Sequence, residues 1–326
     1  MKPKIFVTRR LPEGAMQVLE NNFEVACNPH DRVLTRQELF EGAKGMDGLL
    51  PLLTDRIDDE VFAAAGGQLK IVANYAVGFN NFDLAAGTAR KIPMTNTPGV
   101  LTDTTADLAM ALLLGVARRV VPADAYARAG KYEGWAPLLF VGSDVHRKTL
   151  GILGFGRIGY AMAKRAAGFD MRVLYTDAQP VSAEIEHQVN ARFVDKDTLL
   201  KESDFISVHV PLTPETRHIL KARDFALMKK DAYVINTARG EVIHEQDLVD
   251  ALKAGQIGGA GLDVFEHEPT IHPDLMGMDN VIILPHIASA SIETRTRMGL
   301  ISAENLIAVL LRGQRPPNVL NPEIYG

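Results

Sequence analysis

Short, almost unbroken runs of aliphatic and β-branched residues recur along this chain, each followed by a segment with helical spacing. KIFVT (4–8) precedes a helical pattern at 13–22, DGLLPLL (47–53) precedes DDEVFAAAG, and KIVANYAV (70–77) precedes NFDLAAGTARK. The rhythm returns in TLGILGF, MRVLYTD, FISVHVP, AYVINTA, GAGLDVF and VIILPHI. A strand wetted on one side alternates apolar and polar residues. Runs this continuous predict an α/β protein whose parallel sheets carry helices on both faces, joined by right-handed crossovers. LAMALLLGVA (108–117) is the most membrane-like stretch. It is too short to span a bilayer and is flanked by Asp107, Arg118 and Arg119, so it reads as a buried helix.

A chain of 326 residues exceeds most single cores, and two doubly wound sheets fit its length. Breaks fall near NTPGV (96–100) and after LPHIAS (284–289). The long amphipathic stretch 291–313 can fold back onto the first sheet. The expected domains are therefore 1–99 with 288–326, and 100–287 inserted between them. The Pro-rich tail QRPPNVLNPEIYG reads as irregular.

Composition mainly excludes. With 47% apolar and 23% charged residues the chain is an ordinary globular protein. A net charge of −5 gives no reason to expect nucleic acid or an anionic membrane as partner. Cys27 is the only cysteine, which rules out an intramolecular disulfide and a multi-cysteine metal site. No metal is expected. MKPKIFVTRR lacks the apolar region of a signal peptide, so a cytoplasmic location is expected.

TLGILGFGRIGYAMAKRAAGF sets Gly154, Gly156 and Gly159 in G-x-G-x-x-G spacing, between a strand pattern and a helical one. In a dinucleotide loop Gly154 permits the tight turn, Gly156 admits a pyrophosphate, and Gly159 lets helix and strand pack. Phe155, Arg157 and Ile158 belong to the same loop, and the helix N-terminus offers N–H groups to the phosphates. Asp177, eighteen residues beyond Gly159, ends the next strand. A carboxylate there accepts from ribose hydroxyls and repels a 2′-phosphate, so NAD(H) is preferred, while Arg157 leaves NADP(H) open.

Further strand ends carry Arg239 in INTARG, Asp263 and Glu268 in GLDVFEHEP, and His286 in LPHIAS. Arg239 followed by Gly240 is either a surface turn or a grip on an anion. Open α/β sheets bind ligands at these strand ends. Together with VANYAVGFNNFD, TNTPGVLTDTTADLAMALLL and PLTPETRHIL, the stretches resemble the D-isomer-specific 2-hydroxyacid dehydrogenases over essentially the whole chain. Among them the sequence looks most like the glyoxylate/hydroxypyruvate reductase branch. The resemblance implies a Rossmann-type NAD domain inserted into a flavodoxin-like substrate domain, and NADH-dependent reduction of a small 2-oxo acid. A 3-phosphoglycerate dehydrogenase and an NAD-sensing binding protein of the same fold are the alternatives.

By the same resemblance, Arg239 holds the substrate carboxylate, with Gly240 giving a tight turn. His286 is the acid/base and Glu268 its partner, chosen over Glu266 because it precedes Pro269; Glu266 and His267 are left to a solvated loop. Val77 and Gly78 offer backbone N–H groups to the carboxylate, and Leu53 forms an apolar wall. Thr105, Pro211, Thr237, Ala238, Asp263 and Ala288 match cofactor-contacting positions, Asp263 near the carboxamide and Ala288 where the family often has glycine. Trp135 lies in an arm (100–145) expected to build a homodimer and to reach the partner's substrate.

Overall fold

The computed structural model describes all 326 residues, which divide into two compact units, Met1–Leu101 with Ser289–Gly326, and Thr102–Ala288. The first unit carries β1 (Lys4–Val7), β2 (Glu24–Cys27), β3 (Gly48–Leu50), β4 (Ile71–Ala73) and β5 (Met94–Thr95). Between them lie α1 (Glu13–Asn22), α2 (Arg36–Ala43), α3 (Asp59–Ala65) and α4 (Leu84–Ala89). All pairings are parallel and the order is β2-β1-β3-β4-β5, the flavodoxin-like arrangement. Alternate residues of one strand enter opposite cores. Ile5 and Val7 pack with Leu19, Leu50 and Leu306, whereas Phe6 packs with Leu39, Leu49 and Phe62. Both faces are thus covered, which is why these strands show no alternation in sequence.

The second unit opens with α5 (Thr102–Ala117) and α6 (Val120–Arg128). It continues through β6 (Thr149–Leu153), α7 (Arg157–Ala166), β7 (Arg172–Thr176), α8 (Ala183–Gln188), β8 (Ala191–Phe193), α9 (Lys196–Glu202) and β9 (Phe205–Val208). Then come α10 (Ala222–Phe225), β10 (Tyr233–Asn236), α11 (Glu245–Lys253), β11 (Gly259–Leu262) and β12 (Val281–Ile283). Its seven parallel strands run β12-β11-β10-β9-β6-β7-β8. That is the Rossmann order extended by one strand. α5 buries Ala106, Ala109, Leu112, Leu113 and Val116 against α7, β10 and β11. No helix is long and apolar enough to cross a membrane.

The chain then returns to the first unit as α12 (Ile292–Leu310), capped by the Ser291 hydroxyl, which accepts the Thr294 N–H at 3.1 Å. α12 packs on α1 and β4. The contact at Gly299 is close enough that a Cβ there would lie 2.4 Å from the Ala15 Cβ. The tail is more ordered than its prolines suggest. Leu320 N–H donates to the Met94 carbonyl at 2.7 Å, and Asn321 bonds both Met94 N and Ile92 O at 2.9 Å. It covers the open edge at β5, a device that blunts edge pairing.

Candidate active site

The carboxyl edge of the second sheet gathers the chemistry. Because the strands lie in the order β12, β11, β10, β9, β6, β7, the segments after them stand side by side: His286, Asp263, Arg239, Pro211, the glycine loop and Asp177. At about 4.8 Å per strand this row spans roughly 24 Å. Strand order reverses between β6 and β9, the switch point where such sheets bind ligands.

Each loop glycine has a different physical reason. Gly154 has φ 90°, and a Cβ there would lie 2.7 Å from the Val210 nitrogen. At Gly159 a Cβ would lie 2.2 Å from the Gly154 carbonyl oxygen, so no side chain lets α7 sit this close to β6. At Gly156 a Cβ would meet nothing within 4 Å. Gly156 is also the N-cap of α7, and no side chain caps that helix. Uncapped N–H donors beside open space suit a dinucleotide phosphate. Asp177 is fixed at the next strand end, accepting the Phe155 and Ala178 N–H groups, each at 2.7 Å. The Phe155 ring itself turns into the core and stacks on Tyr175 at 4.1 Å, so only its backbone belongs to the loop. Arg157 is exposed and Ile158 half-buried.

β10 leads through Thr237 and Ala238 to Arg239. The Thr237 hydroxyl is buried without a hydrogen-bond partner, and Ala238 N–H donates to the Asn236 side chain at 3.0 Å. Arg239 is extended, and its Nη1 donates to the Ala238 carbonyl at 2.6 Å. Burial pulls its pKa down, with Glu268 and Glu241 opposing; a guanidinium stays charged regardless. The chain does turn tightly at Gly240, into a single 3-10 turn over Gly240–Val242, but turning is not what demands the glycine. Its backbone is not left-handed; instead a Cβ would lie 1.9 Å from the Phe265 carbonyl carbon and 2.4 Å from the Glu266 nitrogen. Glycine is required there for backbone-to-backbone approach.

His286 Nδ1 lies 2.9 Å from Glu268 Oε2, and the Phe265 N–H donates to Oε1 at 3.1 Å. Burial pushes the Glu268 carboxyl up, but His286, the Phe265 amide and Arg239 outweigh it and hold the group below the usual carboxylate range. His286 has φ 56°, a left-handed backbone that costs a non-glycine residue about 1–2 kcal/mol. Asp263, fully buried, holds it there. Its two oxygens accept the Ile287 and Ala288 N–H groups, each at 2.7 Å, and its carbonyl accepts the His286 N–H at 2.9 Å. Burial raises the Asp263 pKa against those two amides. Asp263 thus braces the His286 turn, a role its expected place near the carboxamide did not foretell.

Glu266 also departs from expectation. Its side chain is only 9% exposed, not solvated; Oε1 lies 2.5 Å from His218 Nε2, and Oε2 accepts the Glu245 N–H at 2.9 Å. The partners are 48 residues apart, and no spacing signal links them. His267 is exposed.

The remaining residues stand as follows. Thr105 is buried in the first turn of α5, Ala288 is buried, and Pro211 is exposed after β9. In the first unit, Asn96 and Asn74 donate to the Val77 and Gly78 carbonyls at 2.7 and 3.0 Å. Asn81, not singled out in the sequence, donates to the Leu52 and Asp55 carbonyls at 3.0 Å and to Asn74, joining the Leu53 loop to the Val77–Gly78 loop. Leu53 is partly exposed, whereas Trp135 is 84% exposed beyond α6, among Tyr132, Leu138 and Val141.

Comparison with known proteins gives the chain a family. The model of the D-isomer specific 2-hydroxyacid dehydrogenase NAD binding domain matches residues 110–288. A glyoxylate reductase of Korarchaeum cryptofilum is 50% identical, covering 99% of this chain and 97% of its own. One from Thermococcus litoralis is 48% identical, covering 99% and 98%. A Thermus thermophilus protein of known crystal structure superposes with a TM-score of 0.92 at 44% identity, covering 97% and 99%. With the NAD binding domain model matched over 110–288 and relatives matched over nearly the whole length, the chain belongs to the D-isomer-specific 2-hydroxyacid dehydrogenase family.

Proposed function

We propose that the protein reduces small 2-oxo acids to 2-hydroxy acids with NADH, glyoxylate and hydroxypyruvate being its leading substrates. The observation that carries this reading is the His286–Glu268 pair, 2.9 Å apart, on the sheet edge that also bears Arg239 and the glycine loop. The full-length relatives that are glyoxylate reductases support the choice of substrate.

Bound NADH would supply the hydride to the carbonyl carbon. Arg239 grips the carboxylate with its planar fork, a geometry a lysine lacks. With Nδ1 engaged by Glu268, His286 offers Nε2 to the carbonyl oxygen and delivers the proton that balances the hydride. Glu268 orients the ring and stabilises the imidazolium. We assign Val77, Gly78 and Leu53 of the first unit to the substrate. To the cofactor we assign the loop 154–159, Asp177, Thr105, Pro211, Thr237, Ala238, Asp263 and Ala288. Asp177 favours NADH, and Ala178, Gln179 and Pro180 after it supply no cation for a 2′-phosphate. The exposed apolar side chains of Tyr132, Trp135, Leu138 and Val141 support a homodimer interface, and the lone cysteine suits a cytoplasmic protein.

A steady-state screen of glyoxylate, hydroxypyruvate, pyruvate and phosphohydroxypyruvate with NADH and NADPH tests these assignments. Turnover of the first two with NADH is expected, and its loss in His286→Ala with NADH binding retained. Preference for the phosphorylated acid would point to serine synthesis, and tight NADH binding without turnover to a sensor. A higher kcat/KM with NADPH would reject the Asp177 argument. A monomer by light scattering would reject the dimer.

A further inference from the structure

Glu266 lies two residues before Glu268, yet nothing in the proposed reaction uses it. Its carboxylate joins three segments. Oε1 meets His218 Nε2 at 2.5 Å. Oε2 accepts the N–H of Glu245, the first residue of α11, at 2.9 Å, and Glu245 Oε2 accepts the Glu266 N–H in return at 3.0 Å. His218 in turn donates its own N–H to the Glu241 carbonyl at 2.9 Å. Three of these four bonds therefore end on the stretch 241–245, which continues directly from Arg239. The same peptide, Phe265–Glu266, is the one against which Gly240 packs, and the Phe265 N–H reaches Glu268 Oε1.

We infer that Glu266 is a positioning residue that clamps the Arg239 segment to the Glu268 segment, fixing the carboxylate-binding group relative to the His286–Glu268 pair. The inference rests on the roles proposed above for those three residues. Two loops leaving neighbouring strands have no covalent reason to keep one spacing; a carboxylate nearly out of water with two ties, reinforced by the Glu266 N–H on Glu245, gives them one. The surrounding charge fits. Burial pushes the Glu266 carboxyl up, but the Glu245 amide, His218 and His244 hold it below the usual range. The other titratable groups around the joint are Asp247, 3.0 Å from His244 Nδ1, and His244 itself, whose ring meets that of His218 edge-on at 4.8 Å.

The test compares unaltered protein with Glu266→Ala, Glu266→Gln and His218→Ala. The readouts are kcat and KM for glyoxylate, NADH affinity by fluorescence, and the ¹⁵N titration of the His286 imidazole, assigned by its loss in His286→Ala. Because a misplacement of about 1 Å costs about a hundredfold, Glu266→Ala should lower kcat/KM ten- to a hundredfold at most. NADH affinity should stay within about twofold and the His286 titration should move, since the imidazole senses Glu268. Glutamine keeps an acceptor for the Glu245 N–H and should restore most of the activity. A folded Glu266→Ala protein with unchanged kcat/KM and an unmoved His286 titration overturns the clamp, as does an equal loss of NADH affinity. If Glu266→Ala does not fold, His218→Ala, which cuts one tie only, is judged by the same two results. If the unaltered protein reduces no 2-oxo acid, the proposed function falls. The His286 titration then decides the clamp alone: a shift in Glu266→Ala that Glu266→Gln, which loses the same charge, does not share keeps it, and no such difference removes it.

Discussion

Gly156 and Gly159 lie three residues apart in the same loop, yet alanine at each should fail in opposite ways. At Gly156 a Cβ meets no protein atom within 4 Å, and φ is −71°, which alanine adopts freely. Replacing such a glycine gains about 0.4–1 kcal/mol because the unfolded chain loses freedom, and gives back about as much because alanine is a poorer N-cap than glycine. At about 2–4 °C per kcal/mol for a domain of this size, Tm should stay within roughly 4 °C of the parent. The added methyl instead takes the space assigned to the pyrophosphate. If it costs what overpacking does, about 1–3 kcal/mol, NADH should bind about 5- to 150-fold more weakly. At Gly159 the Cβ would lie 2.2 Å from the Gly154 carbonyl oxygen and 3.1 Å from Ile152 Cγ2. Backbone must move, and the same 1–3 kcal/mol falls on the fold, lowering Tm by roughly 2–12 °C. Scanning calorimetry of the cofactor-free variants and fluorescence titration with NADH separate the two costs. A Gly156→Ala protein that binds NADH as tightly as the parent, or that melts as early as Gly159→Ala, refutes the reasoning.

Other expectations follow from single contacts. Arg239→Lys keeps the charge but loses the fork; at about 2 kcal/mol for a charged hydrogen bond, kcat/KM for glyoxylate should fall about 30-fold with NADH affinity unchanged, as steady-state kinetics would show. Asp263→Asn sets an amide donor against the Ile287 or Ala288 N–H, so thermal unfolding should show a loss of about 1–3 kcal/mol, accompanied by a lower kcat. Burial pushes the His209 pKa down to about 4 from an ordinary 6.5. Its folded pKa is depressed, so its contribution is whole above pH 6.5 and is lost as pH falls toward 4. That loss amounts to about 3 kcal/mol in urea melts, and His209→Gln should flatten the dependence.

Strands whose two faces feed two cores had to be continuous apolar runs, so β1, β3, β4, β6, β7, β9, β10, β11 and β12 were legible. β2 (Glu24–Cys27) and β8 (Ala191–Phe193) were not, because their residues are exposed or half-buried and neither forms an apolar run, unlike β12, which lies at an edge but is largely buried. β5, two residues long, offers no period to detect. Within the site, glycine spacing and strand-end charges are local patterns and could be read directly. The links Glu266–His218 and Asp263–Ala288 join residues 48 and 25 positions apart, and only the sheet order brings them together. Gly240 shows the same limit: a glycine in a sequence reports freedom or closeness, and only the neighbouring Phe265 peptide tells which.

Because α12 supplies Met298, Ala303 and Leu306 to one core of the first unit and residues 318–321 cover its β5 edge, that packing cannot be finished while its own first 101 residues are the only part synthesised. Roughly 225 further residues must leave the ribosome first, about 10–45 s at ordinary elongation rates. During that wait the uninterrupted middle unit can fold, while the apolar surface that α12 will cover on the amino-terminal segment stays open. Chaperone demand in the cell should therefore concentrate on the earliest-made segment, and a stop codon just before Ser291 would strand it permanently.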